Sequence, residues 1–130
     1  MNQEALHKYR NKIEIAVVKI LSIKRNVVNL NTHNSWQHEQ IKTRICYELQ
    51  KLGKHFITEV PLYYRAKAQA KADILVLDDA QAIEVMVSET EEQLKYKSQK
   101  YPDCLEVIGV RDWEDAFTGK YSLIKRGNIL

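Results

Sequence analysis

Glycine and proline are scarce in this chain, four and two among 130 residues, which excludes collagen-like, low-complexity and loop-dominated architectures. Cysteine is equally sparse. Cys46 and Cys104 stand alone, with no further Cys or His at zinc-finger or zinc-ribbon spacing. One disulfide between them is conceivable, but two reduced, buried thiols are the expectation. No apolar run exceeds four residues, as in ILVL over 74–77, far short of the roughly 20 that a membrane-spanning helix needs. The first residues show neither the basic-then-apolar pattern nor the small-residue cleavage site of a secretory signal. These absences point to a soluble, cytoplasmic protein with no membrane partner.

What is present is ordinary in amount and uneven in placement. An apolar fraction of 45% can build a core, and 15.2 kDa fits one domain over residues 1–130. The net charge of +3 divides into +6 for residues 1–65 and −3 for residues 66–130. Such a division suits a protein that handles phosphodiesters: cations attract the backbone and a few carboxylates hold a metal. A solvated surface that drifts in sign along the chain gives the same arithmetic.

Hydrophobic periodicity supplies the elements. Leu6, Tyr9, Ile13, Val17 and Ile20 recur at helical spacing, so residues 3–24 read as an amphipathic helix within an extension over 1–30. The Asn-rich 26–34 is a connection, with Asn34 or Ser35 capping a helix from Trp36 to Leu52. That helix would bury Ile41, Ile45, Leu49 and Leu52 and stop at Gly53. HFITEVPLYY alternates as a half-buried strand, and a Lys/Ala/Gln-rich turn leads to ADILVLD, a strand buried on both faces. DDAQ turns the chain into the strand AIEVMVS. Ser88 is placed to cap the helix ETEEQLKYKSQKY, which Pro102 ends. CLEVIGV is a further strand, followed by the short helix DWEDAF and a basic tail. The class is α/β.

The chemistry concentrates on Asp73 and Glu84, near the starts of two consecutive strands. Alternation puts Asp73, Leu75 and Leu77 on one face and sets Glu84, Met86 and Ser88 opposite Ile83, Val85 and Val87. A carboxylate inside AIEVMV is costly to bury unless it is paired or bound to a cation. Two of them on neighbouring strands can hold one divalent metal. Glu39 and Lys42, one turn apart beside the buried stripe, with His38 just before, read either as part of that site or as a helix-surface salt bridge. Glu59, mid-strand, is a further acid that is inward or solvated. In the helix after Glu84, Lys97 falls between Leu94 and Tyr101 on the inward face, and Gln93 shares that side. Lys97 either snorkels outward or aims its ammonium at a buried anionic site. Lys95 turns away.

This order of elements, with ten residues between Asp73 and Glu84, resembles the PD-(D/E)XK nuclease superfamily, the restriction-endonuclease-like fold. The stretch from HEQIKTRICYELQKLGKHFITEV through ADILVLDDAQAIEVMVSETEEQLKYKSQKYP is similar to its small archaeal and mobile-element members, and the resemblance spans residues 35–110. It implies an αβββαβ core with an added N-terminal helix, and a Mg²⁺ ion, replaceable by Mn²⁺, held by Asp73 and Glu84. It further implies the Val85 carbonyl as a third ligand and Glu39 as the helical acid. The motif lysine falls at position 86, which is Met86 here, and Lys97 is the best-placed substitute.

The reading that follows is a metal-dependent deoxyribonuclease, selective for structure rather than sequence, with catalytic residues Asp73, Glu84, Lys97 and Glu39. DNA would be gripped by Lys24, Arg25, Lys42, Arg44 and Arg65, together with Lys8, Arg10, Lys12 and Lys19. The alternative is a member of the same fold that binds nucleic acid without cutting it. The N-terminal stripe offers a surface for a homodimer.

Overall fold

A computed structural model describes residues 24–64 and 67–127, the side chains of 63, 64 and 67–69 excepted. The helix expected over 3–24 lies outside these residues, as do Lys8, Arg10, Lys12, Lys19 and Arg65. The described chain is α/β. Helix α1 (Trp36–Lys51) is followed by strands β1 (Phe56–Tyr64), β2 (Lys67–Val76) and β3 (Gln81–Val85), then helix α2 (Glu91–Ser98) and strand β4 (Glu106–Val110). A short helix α3 (Asp115–Thr118) and strand β5 (Ser122–Lys125) complete it. The five strands form one mixed sheet in sequence order; only β3 and β4 run parallel, joined across by α2.

Local chemistry sets the helix starts. The Ser35 hydroxyl accepts the His38 N–H at 3.1 Å, satisfying a donor that the first turn leaves open. Gly53, at φ +74, follows the last turn of α1. Helix α2 is capped by Thr90, not Ser88: its side chain accepts from Gln93 N–H at 3.2 Å, and the Gln93 side chain accepts the Thr90 N–H at 2.9 Å. This capping box places Gln93 at the surface, away from the inward face it was expected to share.

Two apolar layers sandwich the sheet. Under α1, Ile41, Ile45, Cys46 and Leu49 meet Phe56, Ile74, Val76, Ile83, Val85, Ile108 and Val110. On the opposite face Val60, Leu62, Ala72, Leu75, Leu77 and Ala82 pack with Tyr101, Leu105 and Val107. Leu52, expected in the helix stripe, is 62% exposed, because α1 has ended and the chain is turning away. Cys46 takes a place in the layer instead; burial pushes its thiol up to about 12, and neither cysteine forms a disulfide. Gly109 lets α2 approach β4. A Cβ there would fall 2.4 Å from Met86 Sδ and 2.5 Å from Leu94 Cδ2.

Two sequence expectations are corrected. The polar stretch before Ala72 is not a long turn: β2 starts at Lys67 and pairs with β1 from Tyr64↔Lys67 onward. Lys and Gln in that stretch suit the solvated end of a hairpin as well as they suit a loop. The basic tail contains β5, which pairs with β4 at Ile108↔Leu123 and Gly109↔Ser122. No helix among the described residues is long and apolar enough to cross a membrane.

Candidate functional site

Asp73 sits where β2 leaves its ladder with β3 and skips one pair in its ladder with β1. Toward β1 the pairing runs Thr58↔Ile74 and then Val60↔Ala72; toward β3 it reaches Ile74↔Ile83 and goes no further. At this point the alternation changes phase. Ala72 and Leu75 share one apolar layer while Ile74 belongs to the other, and Phe56 and Val60 are likewise on opposite sides. Glu59, across from Asp73, has φ +52, a left-handed backbone that a non-glycine residue adopts at a cost. Such a break beside a ladder re-aims side chains. Here it frees Asp73 Oδ2 to accept the Val85 N–H at 2.9 Å in place of a ladder carbonyl.

Glu84 follows Ile83 on β3 and is 1% exposed. Its Oε1 accepts from the Tyr101 hydroxyl, and Lys97 Nζ lies 3.4 Å from Oε2. Burial first, and then the Asp73 charge, raises the Glu84 carboxyl well above its ordinary range. The neighbouring Asp73 is held below its own: burial opposes its charge, but the His38 hydrogen bond and charge and the Val85 N–H outweigh it. The Tyr101 hydroxyl, buried and facing Glu84, is shifted far upward and stays a neutral donor.

From Asp73 a chain of alternating charges runs away from the sheet. His38 Nε2 lies 3.2 Å from Asp73 Oδ2, and its Nδ1 lies 2.7 Å from Glu39 Oε2. Burial opposes a charge on the ring, but Asp73 and then Glu39 raise its pKa; a ring donating to two carboxylates is an imidazolium. Glu39 Oε1 accepts from Lys42 Nζ at 2.6 Å, and Lys42 reaches Glu59 Oε1 at 2.9 Å and the Asn29 carbonyl at 2.8 Å.

Of the residues singled out in the sequence, the fold brings together Asp73, Glu84, Val85 and Lys97, with Glu39 one histidine away. Lys95 is exposed, as expected. Lys42 is corrected: it is 0% exposed, spent on two carboxylates and a carbonyl, and offers no surface to DNA. Nor is the Glu39–Lys42 pair a solvated helix-surface bridge. Lys24 and Arg25 precede Asn26, which bonds Gln50 and the Lys54 carbonyl at the far end of α1, about 16 Å of helix rise from Glu39. Arg44 lies nearer, with its guanidinium 4.0 Å over the Trp113 ring.

In the sequence Tyr101 and Arg111 carried no site role, and His38 was left open beside Glu39 between the site and a surface salt bridge. Arg111 donates to the Met86 and Glu89 carbonyls and, with Gln37, Gln40, Arg44 and Trp113, lines a cleft of about 380 Å³ at the start of α1. His38 carried a legible signal, being adjacent to Glu39 in the first turn of a capped helix. Met86 is buried against Gly109, a core residue.

No three His, Cys, Asp or Glu side chains among the described residues form a group that could hold a metal ion. A Mg²⁺ ion needs fewer: one or two carboxylates suffice when water and substrate phosphate complete its octahedron. Asp73 and Glu84 fit that requirement in number and kind, two carboxylates on neighbouring strands, Asp73 facing His38 and Glu84 facing Lys97. No family model matches the chain, and no curated protein or solved structure matches it.

Proposed function

We propose that this chain is a metal-dependent nuclease acting on DNA phosphodiester bonds, a member of the PD-(D/E)XK superfamily with its lysine displaced to α2. The observation that carries the reading is the buried Asp73–Glu84 pair at the broken edge of the β2–β3 ladder, with Lys97 beside it. Asp73 and Glu84 would hold Mg²⁺ or Mn²⁺, with the Val85 carbonyl as a third ligand. The metal, when bound, supplies Lewis-acid activation of phosphate and water. Lys97 places a positive charge where negative charge grows on the phosphate, and Tyr101 fixes the Glu84 carboxyl by a hydrogen bond to one oxygen. The cleft that Arg44 and Arg111 line together with Asp112 would offer two cations to a backbone phosphate.

The element order α, β, β, β, α, β from Trp36 to Val110 supports the superfamily reading. A second reading, a member that binds nucleic acid without cutting it, is favoured by Met86: the motif position is filled by a core side chain.

The test is thermal unfolding with and without Mn²⁺, together with cleavage of duplex, junction, flap and single-stranded DNA. A ligand that binds only the native state adds about 2.7 kcal/mol at a hundredfold excess over its Kd. The wild type should gain stability from Mn²⁺ and cut at least one substrate, and Asp73→Asn should do neither. Mn²⁺-induced stabilisation persisting in Asp73→Asn would place the metal elsewhere. Binding with a steep salt dependence and no cleavage would establish the second reading.

A further inference from the structure

Glu39, the acid expected to assist the metal, has no oxygen to spare. Its Oε1 accepts from the Asn31 N–H and Lys42 Nζ, each at 2.6 Å; its Oε2 takes His38 Nδ1 at 2.7 Å and Asn34 Nδ2 at 3.3 Å. An ionised carboxylate has about four acceptor sites, and four donors fill them. The next group along is His38, whose backbone N–H is fixed by the Ser35 cap and whose ring spans Glu39 and Asp73. Asp73 Oδ2 is thereby held from two directions, by His38 and by the Val85 N–H at 2.9 Å.

We infer that Glu39 is a positioning residue rather than a ligand, and that it acts on Asp73 through His38, whose ring bonds both acids. Resting on the reading of Asp73 as a metal ligand, this assigns His38 a role in orienting the Asp73 carboxylate. The arrangement has the form of a histidine oriented by one carboxylate while it orients another, which preorganises a binding group without touching what is bound. It also ties the site to the segment Asn29–Asn34. Asn31 and Asn34 donate to Glu39, and the Asn29 carbonyl accepts from Lys42.

Two measurements on the full chain test it. The first needs no metal: unfolding by urea of Glu39→Gln, Asp73→Asn and their combination, with His38 present and in a His38→Ala background. With His38 present the two changes should be non-additive by more than about threefold in the unfolding constant; without it they should be additive. Additivity in the presence of His38 would overturn the inference. His38→Gln, which can reach one carboxylate but not bridge two, replaces His38→Ala if the latter does not fold.

The second is Mn²⁺ titration followed by calorimetry. Glu39→Gln and His38→Ala should each weaken Mn²⁺ by about 10–100-fold, the double variant no more than His38→Ala alone, and added imidazole should restore part of the loss. A further drop on adding Glu39→Gln to His38→Ala would make Glu39 a direct ligand and overturn the inference. If the wild type binds no Mn²⁺, the nuclease reading fails, while the urea cycle still decides whether His38 couples the two acids.

Discussion

Replacing Lys42 by methionine separates a buried electrostatic joint from a DNA-contacting lysine by magnitude alone. Lys42→Met keeps most of the volume and removes the ammonium. The wild-type nitrogen is fully buried, 2.6 Å from Glu39 Oε1, 2.9 Å from Glu59 Oε1 and 2.8 Å from the Asn29 carbonyl. Burial disfavours its charge, but the two carboxylates outweigh that and raise its pKa, so the ammonium persists to high pH. Its loss leaves Glu59, 12% exposed at the side chain, without its cation, and Glu39, 5% exposed, with His38 alone. Breaking a buried pair from one side costs about 3–5 kcal/mol. Converted at roughly 3–5 °C per kcal/mol for a chain of this length, this lowers Tm by on the order of 10–20 °C. Urea denaturation should show a lower midpoint at an unchanged slope. Lys42→Met combined with Glu39→Gln and Glu59→Gln should recover part of the loss, because no charge is then stranded. A solvated lysine would behave otherwise: less than about 1 kcal/mol in stability and about one unit in the salt slope of DNA binding. A loss below about 1 kcal/mol for Lys42→Met would refute the buried-joint reasoning.

Lys97→Ala should cut the cleavage rate by on the order of 10²–10³, the scale of losing one transition-state charge partner, with Mn²⁺ binding retained; Lys95→Ala should leave the rate close to wild type. Tyr101→Phe removes the donor to Glu84 and should cost about 1–3 kcal/mol in urea, the range for stranding a buried acceptor. Burial and the Asp73 charge raise the Glu84 carboxyl, so native protein binds that proton more tightly than unfolded chain does. Its stabilising contribution is complete below the ordinary glutamate range and disappears as pH rises through the raised value. Metal-free wild type should therefore lose stability relative to Glu84→Gln as pH goes from about 5 to about 9. A constant difference across that range would show that Glu84 titrates normally.

Much of the fold was legible because it follows from short-range rules. The Ile41–Ile45–Leu49 spacing and the Ser35 cap define α1, and the apolar runs on either side of DDAQ define β2 and β3. Strand alternation set Glu84 opposite Ile83 and Val85, and the helical spacing of Leu94 and Lys97 turned an ammonium toward it; the change of phase at Asp73 was not legible. Thr90 in place of Ser88 as the α2 cap is a shift of two residues among several cap-competent side chains, settled by where Gln93 could close the box. Strand β5 was missed because SLIK is four residues long and reaches its partner β4 across a short helix rather than a tight turn.

The α/β class, the two acids on consecutive strands and the lysine on the next helix follow from local spacing, since each depends on residues a turn or a pleat apart. Which charges are solvated depends instead on long-range packing. Lys42, Glu39 and His38 carry the same letters whether a helix flank faces water or another part of the chain. Here the segment Asn29–Asn34 and the left-handed turn of β1 at Glu59 close over them. Burial then turns a surface salt bridge into a chain of hydrogen-bonded charges ending on Asp73, because in a low dielectric each group persists only with its partner in place.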